Sequence, residues 1–106
     1  MVISVPDMND SFSRIVLDGK EILLRFTYCV RGGYWLFGVY TLDEKPIVAS
    51  MKIVPNSPLN LWYRDDRMPM GTFGAVSDNE TIGRNSFLNG EAEFVFLPYK
   101  DLGVEL

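Results

Sequence analysis

The chain has 106 residues, a formal net charge of −4, one cysteine and no histidine. That length suits one domain, which can bury roughly two thirds of its unfolded surface without a staple. The lone Cys29 excludes an internal disulfide and a thiolate zinc cluster, and the lack of histidine excludes an imidazole metal site and a catalytic triad of the usual kind.

The opening MVISVPDMND has no basic n-region and no long apolar core, so it does not read as a secretion signal. Short terminal segments, flexible or ordered by a partner, are expected at both ends of a single domain spanning 1–106. Ser11 to Leu17 is the first predicted strand. Asp18-Gly19 follows, a dipeptide that favours a tight hairpin. The returning segment, Glu21 to Val30, alternates with a period of two. Ile22, Leu24, Phe26, Tyr28 and Val30 share its core face; Leu23, Arg25, Thr27 and Cys29 share a mixed face. With no base or cation expected nearby to activate it, Cys29 reads as a small buried hydrophobe.

Arg31-Gly32-Gly33 makes the next turn. The strand Tyr34 to Thr41 is apolar on both sides, with Trp35, Phe37 and Val39 on one and Tyr34, Leu36 and Tyr40 on the other. Such a strand is central to a layered structure or shows one face to a partner. LDEKP (42–46) is a polar turn, and Ile47 to Val54 is a fourth strand. KIVPNSPLNLWY (52–63) then places Pro55 and Pro58 three residues apart before an apolar cluster. A proline ends a ladder and holds its predecessor extended, so a rigid corner is expected, with Leu59 and Leu61 in the core of a short strand 59–63. In that strand Trp62 would face the other way, toward an interface. RDDR (64–67) reads as a solvated turn. Gly71 to Ser77 is a strand, 79–90 a loop with a helical turn near Ser86–Leu88, and Ala92 to Leu97 a closing strand ended by Pro98.

Six to eight short strands joined by turn chemistry predict an all-β fold, a small antiparallel β-sandwich or barrel. No phosphate-cradling or dinucleotide motif is present. The paired carboxylates Asp43-Glu44 and Asp65-Asp66 fall in turns, and Glu91/Glu93 open a strand beside a glycine, where solvent is expected. Lys and Arg are scattered singly, which argues against nucleic acid and against a polybasic membrane patch. The longest charge-free runs, 32–42 and 53–63, are too short for the ~20 residues that span a bilayer as a helix. No enzyme, cofactor or metal is expected. What remains is aromatic surface, the usual anchor of an interface. Trp62, Tyr63, Trp35, Tyr34 and Arg64 are the candidate contact residues. The alternative is a small ligand-binding β-barrel that stacks its ligand on Trp35 or Trp62.

Several segments resemble one known family, in order and spacing. They are PDMNDSF (6–12), LDGKEILLRFTY (17–28), Tyr34-Trp35, PIV (46–48), KIVPNSPLNL (52–61), PMGTFG (69–74) and FVFLPY (94–99). Together they resemble the baseplate plug proteins of tailed phages. Two places depart from the family pattern: CVRGG (29–33), where a more polar turn is expected, and Met51, where glycine is expected. The resemblance implies a structural part of a contractile-type tail baseplate, made in the host cytoplasm and built into the virion. Its implied partners are the hub protein, the proteins at the end of the tail tube and further copies of itself in a symmetric assembly.

Overall fold

A computed structural model describes residues 1–17, 19–56 and 67–99. Alternating side chains and the turn dipeptide produce the first hairpin as expected. β2 (Asp10–Leu17) pairs with β3 (Lys20–Cys29) without interruption, from Asp10↔Thr27 to Leu17↔Lys20. Gly19 sits at the tip with φ +76°, a conformation that glycine adopts without steric penalty. β4 (Tyr34–Tyr40) and β5 (Pro46–Lys52) extend the meander to a four-stranded sheet, β2-β3-β4-β5. Here the pairing is irregular, with register shifts around Val39. Gly38 lies at the shift, and a Cβ there would stand 2.5 Å from the Ala49 carbonyl oxygen.

β6 (Gly71–Ser77) and β7 (Ala92–Pro98) pair in full register, and β1 (Val2–Ile3) adds to the far side of β7. The result is a second, three-stranded sheet, β1-β7-β6. Two antiparallel sheets rather than one closed sheet make the fold a sandwich.

Aromatic side chains join the layers. Phe94 lies 5.0 Å from Phe26 and 5.3 Å from Phe37, centroid to centroid, and Phe37 lies 5.5 Å from Phe73. Edge-to-face geometry of this kind adds about 0.5–1.5 kcal/mol per pair beyond area burial. Lys20 ties the sheets at the rim by donating to the Met68 carbonyl at 3.0 Å.

Several expectations change. The N-terminal segment is an edge strand and is tied to β7: the Met1 ammonium donates to the Phe96 carbonyl at 3.2 Å. β3 stops at Cys29, leaving Val30 exposed in the turn, and β5 stops at Lys52, before Val54. Cys29 is half-buried rather than buried, because its face of β3 looks outward. The helical turn expected near Ser86–Leu88 is present, with the Asn89 N–H donating to the Asn85 carbonyl at 2.9 Å. The expected strand 59–63 lies outside the described residues.

Candidate interface surfaces

The two outer faces of the sandwich differ in chemistry. On the four-stranded sheet, Asp10 accepts from Arg25 through both carboxylate oxygens, at 2.9 and 2.7 Å, and from the Thr27 hydroxyl at 3.1 Å. The hydrogen bonds from Arg25 hold the Asp10 carboxyl below its ordinary value, and Asp10 in turn raises Arg25 above its own. The Arg25 guanidinium lies 5.4 Å from the centre of the Phe12 ring. Phe12 meets Tyr40 edge-on at 5.2 Å. Arg14 donates to Glu21 at 2.8 Å. Both ion pairs are largely exposed, so each contributes about 0–1 kcal/mol.

The outer face of the three-stranded sheet has little such lacing. β1, β6 and β7 carry one charged residue between them, Glu93. Their pairing places Val2 beside Val95, and Val95 beside Gly74. Val2 is 61 % exposed, Val76 54 % and Leu97 39 %. A groove of about 330 Å³ opens on this face, its lining including Asn56, Thr72, Gly74, Val76, Val95 and Leu97.

Asn56 explains the corner at KIVPN. Its backbone is left-handed, at φ +61°, which asparagine tolerates better than most residues. Pro55 bridges to Ala75, and the Asn56 N–H donates to the Ala75 carbonyl at 2.7 Å. The Asn56 amide then donates to the Ser77 carbonyl at 2.7 Å and accepts from the Ser77 N–H at 3.2 Å. The side chain thus serves as one more rung on the outer edge of β6.

The two candidate residues within the described part of the chain, Trp35 and Tyr34, lie on opposite sides of β4. Trp35 is 1 % exposed and belongs to the core. Its indole N–H donates to the Gly83 carbonyl at 3.1 Å, Tyr28 and Phe87 meet its ring, and Arg84 lies 5.4 Å from its centre. Contrary to the expectation of a contact residue, Trp35 shows no surface to a protein partner and no platform to a ligand. The apolar sides of β4 were read properly as sides, but alternation does not say which one the other sheet covers. Tyr34, on the opposite side, is half-buried and held in place. Its ring rests on Gly32, and the Lys52 ammonium lies 4.8 Å from its centre. The Gly32 N–H, with Tyr34 second, holds the Cys29 thiol below its ordinary value. Trp62, Tyr63 and Arg64 lie outside the described residues.

Glu91 is engaged by the side-chain amides of Asn79 and Asn89, both at 3.1 Å. Among the described residues, no group of three or more His, Cys, Asp or Glu gathers as a metal site. No described helix is long and apolar enough to cross a membrane. The missed elements are the Asn56 rung and the apolar face; the alternation of GTFGAVS and AEFVFLP was the signal for the latter.

No curated protein matches the chain. A family model does, described as the cyanophage baseplate Pam3 plug gp18, over residues 1–101. This span takes in both sheets, the KIVPN corner and the apolar face. The chain belongs to this baseplate plug family, and with it to the structural proteins of the phage tail that associate with other baseplate proteins.

Proposed function

We propose that this protein is the central plug of a contractile-type baseplate, seated against the hub and the end of the tail tube. The family match over residues 1–101 carries this reading. Its work is assembly rather than catalysis: bracing or sealing the channel and joining rings of different composition. The whole chain acts as one β domain, made in the host cytoplasm before it enters the particle.

The apolar face of β1, β7 and β6 supports hub docking. Exposed valine and leucine on a nearly uncharged sheet face gain free energy when a neighbour covers them, at roughly 25 cal/mol per Å². Tyr34, Trp62, Tyr63 and Arg64 are the proposed contact residues. Co-expression with the hub and tube-end proteins, followed by size-exclusion chromatography, should give a co-eluting complex, and antibodies should label purified particles. A chain that elutes alone and is absent from particles overturns the proposal.

A further inference from the structure

The sheet edges are not equally protected. β1 is two residues long. β5 opens on Pro46, is irregular against β4 and ends on Lys52. β6 is met on its outer side by Pro55 and Asn56. Shortness, proline, charged side chains, irregularity and cover are the devices that keep an edge from accepting another strand. β2 has only the charges, Asp10 and Arg14, and these are of opposite sign. It is eight residues long, regular throughout, and holds no proline or lysine. Among the described strands, β3 is its one neighbour.

The open groups on that edge can be identified. The Tyr28 N–H donates to the Asn9 carbonyl at 2.8 Å, so residues 9 and 28 form a hydrogen-bonded pair. Antiparallel alternation then turns the backbone of Ser11, Ser13, Ile15 and Leu17 toward β3. The N–H and C=O groups of Asp10, Phe12, Arg14 and Val16 point to the open edge. The side chains of these residues share the exposed face: Phe12 is 43 % and Val16 53 % exposed.

We propose that β2 pairs antiparallel with β2 of a second copy, about a twofold axis at Phe12, so that Asp10 of each copy faces Arg14 of the other. Charge selects this register. Centring on Arg14 would set like charges opposite each other. Centring on Ser13 would pair Asp10 with Val16 and Phe12 with Arg14, and centring on Ser11 would pair Asp10 with Phe12. The Phe12 register alone joins opposite charges, and it is self-complementary, as a twofold contact must be. Arg25 already holds Asp10, and Glu21 already holds Arg14, within each copy. The contact would link these pairs into one chain of alternating charge and merge two four-stranded sheets. It uses only this chain's own edge and stands apart from hub docking.

Sedimentation of the full chain over a concentration series tests the pairing. The expected result is a reversible dimer. Arg14→Asp alone and Asp10→Arg alone should each weaken it by more than about tenfold through like-charge contacts. Mixing the two variants should restore association, because each contact then joins opposite charges again. Circular dichroism checks that each variant is folded. Separately, Phe12→Cys in a Cys29→Ser background should form a disulfide-linked dimer on mild oxidation, since a hydrogen-bonded pair places its Cα atoms about 5.5 Å apart. A monomer at all concentrations, single variants that associate like the parent, or a mixture that stays monomeric would overturn the proposal.

Discussion

The two outer faces of the sandwich are finished in different ways. The four-stranded sheet laces its outer face with charge, with Arg25 bonded to Asp10 and set over Phe12, although Phe12 and Val16 stay exposed. The three-stranded sheet leaves Val2, Val76 and Leu97 open. The first face pairs charge with its exposed apolar groups; the second carries apolar groups with almost no charge beside them. A protein whose work is assembly can thus be folded on one side and unfinished on the other. Substitutions on the two faces should have different consequences, and those between the faces should test the core they share.

The largest effect is expected in that core. Phe94 touches rings from both sheets, so Phe94→Ala should cost about 3–5 kcal/mol. Chemical denaturation should show one transition moving to much lower denaturant. If only one sheet's signal shifted, the faces would not rest on a common core.

The corner comes next. Asn56→Ala removes both side-chain bonds to Ser77 and puts alanine at positive φ, for a cost of about 1–3 kcal/mol by denaturation. Asn56→Gly keeps the backbone comfortable and should cost less. Equal losses would show that the left-handed backbone adds no strain, and no loss in either variant would show that the rung contributes nothing. Gly19→Val should cost on the order of 1–2 kcal/mol through backbone strain alone, since nothing stands within 4 Å of its missing Cβ. An unchanged melting curve would remove the hairpin tip from the account.

The faces themselves should respond weakly, one in stability and the other in association. The folded Asp10 carboxyl is held below its ordinary value, so its contribution is in place at neutral pH and fades as the pH falls through the folded value. Because the pair is exposed, Asp10→Asn should cost at most about 1 kcal/mol at pH 7 and nothing in strong acid. A constant difference from pH 7 to pH 2 would contradict this account. On the apolar face, Val76→Lys should change stability by no more than about 0.5 kcal/mol while weakening co-elution with the hub. A large loss of stability would mean that the face belongs to the fold rather than to a partner.

Much of the fold was legible in the residues. Asp18-Gly19 between two alternating runs is a strong local signal, and the β2–β3 hairpin follows from it. β1 was not legible, because a two-residue strand has no periodicity and owes its place to β7. The burial of Trp35 is not legible for a different reason. Alternation sorts side chains into two sides of a strand, but only the second sheet and the 79–90 loop decide which side is covered. The seal over Trp35 comes from Gly83, Arg84 and Phe87, about fifty residues away along the chain. Asn56 was hidden because its left-handed backbone and its rung on β6 depend on a contact with Ser77.

Cys29 has a practical consequence for studies of the particle. It is the chain's one thiol, half-buried at the end of β3 beside Tyr34 and the Gly32 N–H. A thiol held below its ordinary value is more thiolate near neutral pH and reacts more readily. Maleimide labelling before and after assembly would therefore footprint this rim with native protein and no engineered probe, the extent of protection reporting whether a neighbour sits there.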